Sequence, residues 1–472
     1  MTRNVLVLYD QGSIHVATVK EHVESLSRHS RHNIFYLPAT TFSPWPDIGR
    51  SPSFDAFDVL VLHYSVRLSL DQHIAAPIAR AVEAFKGLKI VFMQDEYDTV
   101  DIAKRWLKRL DFDVMFTCIP KQFLPQIYPA DEFPKLRFVE TLTGYVPDDA
   151  SIETYRRPLA ERTVVIGYRG RVLPHQYGDL GQEKRWIGER VREAAKAKGI
   201  RIDIEVTNDE RIYGPAWYDF LSRARATLGT ESGSNVFDTD GALSRLAAEH
   251  ADLSFEDFRR RFLAGREGPV RMNQISPKIF EAIRLRVALV LFEGTYSGVV
   301  QAGAHYIPLR KDLTNVDNVF AKLEDMTLLE SLTERAYRDV VESGRYSYSV
   351  FVESVDREID AWLPTRQAGS TTSSTPSSFV QVREDADEPA FRPSRQVLPA
   401  EASRPADPGQ ANAAGAPDRP QTLTAPAPPS RLSAFRARLE RQPVVRGAVR
   451  GLARVWSVLP AGVRRSVRKI VG

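Results

Sequence analysis

The sequence predicts an α/β chain with two doubly wound domains, each on a mostly parallel sheet. Short apolar runs alternate with segments of helical period, this alternation occurs twice, and a Pro- and Arg-containing connection, "VPDDASIETYRRPLAER", separates the two series. Two such domains make a cleft between the carboxyl ends of their strands, where ligands of open α/β sheets bind.

In the first series the strands are "NVLVLYD", "NIFYLP", "DVLVLHYS", "KIVFMQDE", "DVMFTCI" and "LRFVETLTG". Between them lie helical stretches such as "HVATVKEHVESLSRH", "DQHIAAPIARAVEAFKG" and "TVDIAKRWLKRL". The second series starts near Arg162 with "TVVIGYRG" and a helix from about Gln182 to Lys198. It continues through "IRIDIEV", "GPAWYDFLSRA", "ATLGTESG", "NQISPKIFEAIRLRVALVLFEGTYSG", "HYIPLR" and "NVDNVFAKLED". An insertion between Gly241 and Met272 carries a capping box, Ser254 with Asp257, ahead of Phe255, Phe258 and Phe262. The predicted divisions are a Rossmann-like first domain over 1–150, a Rossmann-like second domain over 162–345 and a closing helix over 346–366.

A composition break near residue 366 follows. Residues 367–430 are rich in Pro, Ala, Ser and Thr and predict a disordered linker. Residues 431–472 read as a basic amphipathic helix. Arginines from Arg431 to Arg468 face one acid, Glu440, while Val445, Val449, Leu452 and Trp456 recur at helical spacing. That pattern suits an anionic membrane surface or an acidic partner, or else a solvated tail.

At 472 residues, 43% of them apolar, the chain has material for two cores. A net charge of +4 calls for no nucleic acid partner. The single cysteine, Cys118, excludes an intramolecular disulfide and a structural zinc motif. The start, "MTRNVLVLYDQG", lacks the apolar core of a signal peptide, and no run of about 18 apolar residues occurs. The expected location is cytoplasmic, peripheral at the inner membrane face if the tail binds lipid.

Neither "GSIH" after the first strand nor "GYRGR" is a G-x-G-x-x-G fingerprint, and no G-x-x-x-x-G-K-[ST] exists, which removes the best support for dinucleotide oxidoreduction and ATP hydrolysis. Arg169, Gly170 and Arg171 sit at a strand-to-loop corner, either as a diphosphate clamp or as a solvated turn. Glu231, Ser232 and Gly233 follow another strand, where small and hydroxylated residues admit a phosphate. Asp238 and Asp240 form a D-x-D pair that reads as a turn rather than a cation site. His15, His22 and His29 recur every seven residues, about 10.5 Å apart along a helix, too far for neighbours to share an ion, so they read as a polar stripe. His15, His63 and Asp95 each fall at a strand end beside the cleft and are alternative general bases, or strand-end hydrogen bonders.

With these loops in place, residues from about Asn4 to Leu363 resemble glycosyltransferases of the GT-B fold, family-1/family-4-like. Many retaining members carry E-x7-E, loosely E-G-F-G-x-x-x-x-E-A, and "NQISPKIFEA" aligns with it without a gap. The resemblance puts Glu281 at the second acid, which in the family binds the donor ribose. The first acid is Asn273 here, the F-G pair is Ile275-Ser276, and the following G-x-P is Arg286-Val287-Ala288. Lys278 matches a position where relatives of the spore-maturation type carry a cation that meets the diphosphate. "FEGTYSG" occupies the loop beneath the donor and makes Tyr296, Ser297 and Gly298 phosphate or sugar contacts.

The resemblance implies metal-independent transfer of a sugar from a nucleotide diphosphate sugar to a glycan, lipid-linked or protein acceptor, with no cofactor. A nucleotide-sugar epimerase and a catalytically inert GT-B-like scaffold are the alternatives, the latter because of Asn273 and the lost G-x-P.

Overall fold

A computed structural model describes residues 2–41 and 52–362; the predicted linker, 367–430, and tail, 431–472, lie outside them. The described residues fall in one compact unit of the chain. They form two parallel sheets, as the alternation of strands and helices predicts.

The first sheet contains β1 (Asn4–Tyr9), β2 (Asn33–Pro38), β3 (Val59–Leu62), β4 (Leu88–Phe92), β5 (Val114–Thr117) and β6 (Arg137–Glu140), in the order β2-β1-β3-β4-β5-β6. Its helices are α1 (Ala17–His29), α2 (Ala76–Ala84), α3 (Val100–Leu110) and the short α4 (Leu124–Ile127). Side chains alternate across a strand, so β1 supplies both layers. Leu6 and Leu8 pack with Ile78 and Val82 of α2 and Leu107 of α3 on one face. Val5, Val7 and Tyr9 pack with Val23 and Leu26 of α1 on the other. Burial on both faces explains why these strands read as unbroken apolar runs.

The second sheet contains β7 (Val164–Arg169), β8 (Ile202–Glu205), β9 (Ala224–Gly229), β10 (Ala288–Phe292) and β11 (Ile307–Leu309), in the order β11-β10-β9-β7-β8. Its helices are α5 (Gly178–Ala197), α6 (Pro215–Ser222), α7 (Ala242–Glu249), α8 (Phe255–Phe258), α9 (Pro277–Arg284), α10 (Val316–Glu324) and α11 (Met326–Ala336). The last helix, α12 (Tyr348–Trp362), returns to the first sheet, where Phe351, Val352, Val355 and Ile359 join the layer of α1. The Ser30 hydroxyl donates to Asp356 at 2.7 Å and Arg137 pairs with Glu358 at 3.0 Å, fixing that return.

Each sheet reverses its strand order beside its own first strand, between β1 and β3 in one and between β7 and β9 in the other. A reversal opens a crevice at the carboxyl ends of the two strands. The loops that follow β1, β3, β7 and β9 therefore decide what the cleft can bind.

The insertion bridges the sheets. The Ser254 hydroxyl accepts from Asp257 N at 3.1 Å, as the capping box predicts, and Phe258 is fully buried. Phe237, Val270 and Met272 pack into the core of the first sheet. Asp238 N donates to Tyr97 O at 2.9 Å, and Val100 N and Asp101 N donate back to Asp238 O and Thr239 O at 3.2 and 2.9 Å. The Asp238 carboxylate caps α7 through Leu243 N and Ser244 N at 3.1 and 2.9 Å, the turn role expected of the D-x-D pair. Among the described residues no group of three or more His, Cys, Asp or Glu is placed to hold a metal ion, and no helix is long and apolar enough to cross a membrane.

Candidate active site at the two strand reversals

At the β7/β9 reversal lies a cavity of about 170 Å³. Arg169, Arg171, Lys184, Arg211 and Lys278 line it, together with Trp217 and the backbone of Gly229 and Thr230, and no carboxylate does. The first turn of α9 opens onto it through Ser276 and Lys278, adding the positive end of a helix dipole. Burial first, then the neighbouring Lys278 and Arg171, push Lys184 down to about 8. Burial also pushes Lys278 down to about 8, with Glu281 pulling the other way and Arg211 and Arg171 adding to the fall. Lys278 Nζ sits 4.8 Å from the Trp217 ring centroid and donates to Arg169 O at 3.1 Å. Crowded cations, of which Arg169 alone has an ion-pair partner among the described residues, are what an anionic ligand relieves.

Not every predicted residue faces this cavity as expected. The Arg169 guanidinium pairs with Asp203 at 2.7 Å and lies 4.3 Å from the Phe220 ring centroid, so its charge is partly answered within the protein. Gly170 is required by packing: a Cβ there would meet Lys184 O at 2.8 Å. Its N–H already donates to Glu205 O at 2.7 Å. Glu281 is buried behind the cavity wall, accepting from Trp217 Nε1 at 2.6 Å, and burial raises its carboxyl. It acts on the cavity through Trp217 and through the charge of Lys278.

The loop residues Glu231, Tyr296 and Ser297 are internal braces rather than free ligand contacts. Glu231 accepts from Thr295 N, Thr295 Oγ1 and Tyr296 N at 2.9, 2.9 and 2.8 Å, and from Asn273 Nδ2 at 2.7 Å. The Tyr296 ring is fully buried and its hydroxyl donates to Phe292 O at 2.5 Å. Ser297 Oγ accepts from Ile275 N and bonds Gln274 Oε1, both at 3.1 Å. Gly294 is the neighbour that permits this, because a Cβ there would lie 2.7 Å from Glu231 Cδ.

Between the sheets lies a larger cavity of about 540 Å³, lined in part by Ser13, Ser65, Arg67, Asp95, Arg171, Lys184, Ser232 and Gly233. Arg171 and Lys184 line both cavities, which makes the two contiguous. Ser232 exchanges backbone hydrogen bonds with Gln274 at 2.7 and 2.8 Å. Gly233 has φ +107°, and a Cβ on it would sit 2.1 Å from Met272 O.

Of the three candidate bases, Asp95 alone lines this cleft. It is exposed, holds a left-handed φ of +50°, and accepts from the Tyr97 hydroxyl at 2.6 Å through one oxygen. His15 is exposed with Nδ1 2.8 Å from Gly12 O, outside the cleft lining. His63 is not placed to touch a substrate, being fully buried with Nε2 3.0 Å from His22 Nδ1; burial and His22 push it well below its usual value. His22 accordingly leaves the predicted polar stripe for the core, at 2% exposure. Lys184 belongs to no sequence motif, and its one signal is position, a cation in the second turn of the helix after β7.

No family model matches the sequence, and no curated protein matches it. Among solved structures the fold is similar to an α-glucosyltransferase in complex with UDP and a 13-mer DNA, at 11% identity over 76% of this chain and 100% of that chain, with TM-score 0.45. It is also similar to sucrose-phosphate synthase from Thermosynechococcus elongatus, at 10% identity over 76% of this chain and 99% of that chain, with TM-score 0.44. A third is Anabaena Alr3699/HepE in complex with UDP-glucose, at 10% identity over 77% of this chain and 100% of that chain, with TM-score 0.43.

Proposed function

We propose that this chain is a glycosyltransferase that takes a sugar from a nucleotide diphosphate sugar, with the diphosphate held at the β7/β9 reversal. The observation that carries the reading is the cavity lined by Arg169, Arg171, Lys184, Arg211 and Lys278 without a carboxylate. As the bond from the anomeric carbon to the diphosphate oxygen breaks, the leaving group gains negative charge. Fixed cations and the positive end of the α9 dipole therefore stabilise the transition state more than the ground state. An acceptor hydroxyl entering from the first-sheet side attacks the anomeric carbon; if the reaction inverts, Asp95 receives its proton, since Asp98, the other carboxylate on that side, is paired with Arg67. The acceptor is a glycan, a lipid-linked glycan or a protein. The cation at Lys278 favours the spore-maturation type within the resemblance, and the basic segment 431–472 would bring the enzyme to an anionic membrane surface.

A thermal-shift panel on the full chain tests the donor assignment. Nucleotide diphosphate sugars should raise the unfolding midpoint while unphosphorylated nucleosides do not, and the Lys184→Ala/Lys278→Ala double variant should lose the shift. No stabilisation by any nucleotide sugar, or equal stabilisation of the double variant, overturns the reading.

A further inference from the structure

At the β1/β3 reversal of the first sheet, Ser65 lines the cleft and is itself 6% exposed. Its neighbours fix its hydrogen-bonding sense. Ser65 N donates to His63 Nδ1 at 3.1 Å, and a backbone N–H cannot become an acceptor, so His63 Nδ1 carries no proton. His63 therefore carries its proton on Nε2 and donates it to His22 Nδ1 at 3.0 Å, which leaves the proton of His22 on Nε2. Both rings stay neutral because Tyr64, Phe92, Tyr348 and Phe351 surround His22 and no carboxylate bonds either imidazole among the described residues.

Nδ1 has no proton to give, so in the 2.9 Å contact the Ser65 hydroxyl is the donor, sharing the single lone pair of Nδ1 with Ser65 N. Asp10 N donates into Ser65 Oγ at 3.0 Å and occupies one lone pair. A serine hydroxyl has one proton and two lone pairs, so one acceptor site remains on Oγ, and it belongs to a residue that lines the cleft.

We propose that Ser65 Oγ is an acceptor-only subsite that receives a hydrogen bond from a hydroxyl of the acceptor substrate, and that His63 and His22 are positioning residues that lock its orientation. This rests on the glycosyltransferase reading for the identity of the ligand, a sugar hydroxyl, and on geometry alone for the locked orientation. A hydroxyl able to rotate would accept or donate; this one accepts only, so it selects a ligand group with a proton to give.

Two measurements on the full chain decide it. In the first, long-range proton–nitrogen spectra of histidine-labelled protein, assigned with His63→Gln, should show His63 unprotonated at Nδ1 and protonated at Nε2. A proton on Nδ1 overturns the locked orientation. In the second, methyl hexopyranosides are titrated while the Ser65 amide is followed, and with UDP-glucose as donor the transfer kinetics are measured for wild type and Ser65→Ala.

The variant should raise the KM for the glycoside about tenfold, as the loss of one hydrogen bond to a neutral group allows. Its kcat and its Kd for UDP should stay unchanged. For the monodeoxy glycoside lacking the bonded hydroxyl, wild type and variant should give the same KM. An unchanged KM across the panel, a parallel loss of UDP affinity, or a Ser65 amide that no glycoside moves each overturns the subsite. Failure of UDP to bind the wild type instead overturns the donor assignment, and the amide titration still decides Ser65.

Discussion

The two sheets share one device, a strand reversal beside the first strand, and equip it in opposite ways. At β7/β9 the cations outnumber their partners: Arg171, Lys184 and Lys278 have no ion-pair partner among the described residues, and Lys278 meets a backbone carbonyl and the Trp217 ring. At β1/β3 the charges are answered inside the protein except at Asp95, which has no ion-pair partner among the described residues. Arg67 pairs with Asp98 at 2.7 Å, and Asp10 accepts from Gly12 N at 3.2 Å and from the Thr40 hydroxyl at 2.9 Å. The same topology thus yields one crevice suited to an anion and one suited to a neutral, hydroxyl-bearing ligand. The chemistry of each crevice is decided by loop residues, not by the sheet.

The largest expected effect tests why the cations are free. Glu231, in the loop after β9, forms no ion pair with them among the described residues; it accepts from Thr295 and Tyr296 through one oxygen and from Asn273 through the other. Glu231→Ala leaves the buried N–H of Tyr296 and the Asn273 amide without their acceptor and frees the exposed Thr295 from the loop, at a cost of about 2–3 kcal/mol. Urea unfolding of the variant checks this. A loss below about 1 kcal/mol would mean that the loop finds other partners and that Glu231 is not its brace.

Next comes the charge itself. Removing one buried cation that bonds a diphosphate removes about 1.5–3 kcal/mol, so Lys184→Ala should weaken UDP binding by about 10- to 100-fold in calorimetry. Ser65→Ala should leave the UDP Kd unchanged. If both variants changed it equally, the contrast between the two crevices would collapse.

Most strands were legible because burial on both faces makes each one an unbroken apolar run, and the same β-α alternation marks both sheets. The places where site residues stand were legible too, since Arg169, His63 and Asp95 follow directly from strand ends. Their roles were not, because each depends on a partner distant in sequence. His63 looks like a base until His22, 41 residues away, meets its Nε2. Tyr296 looks like a sugar contact until its ring is seen in the core, and Glu231 looks free until the loop 64 residues later folds onto it. Lys184 lies in a helix without a motif, and only the fold brings it to both cavities.

The pH dependence sharpens the comparison with a smaller effect. Lys184 and Lys278 sit near 8 in the free protein, below the ordinary 10.5. Between those values the unfolded chain holds more protons than the folded one, so these lysines make stability rise with pH across about 8 to 10.5, and their destabilising contribution is fully present below about 8. A bound diphosphate raises both. UDP affinity should therefore be flat between about pH 7 and 8, where the terminal phosphate of UDP is ionised, and fall above it, by up to about tenfold per pH unit for each lysine, with proton uptake measurable by calorimetry in buffers of different ionisation enthalpy. Glycoside binding at Ser65 should show no such fall.

The smallest expected effect concerns the contact that joins the two sides. The Tyr177 hydroxyl, from the second series, donates to Asp98 at 3.4 Å, and its ring meets Tyr97 edge-on at 5.4 Å. At that length the hydroxyl bond is a weak tie, and Arg67 holds the same Asp98 carboxylate at 2.7 Å. The stronger ties are the backbone bonds of Asp238 and Thr239 to residues 97, 100 and 101, together with Phe237, Val270 and Met272 in the first core. Tyr177→Phe keeps the ring and every backbone bond and removes one long hydrogen bond, so it should cost less than about 1 kcal/mol in urea unfolding. A cost equal to that of Glu231→Ala would place the junction's strength in the polar pair instead, and the two crevices would then be coupled through Asp98 rather than joined by packing.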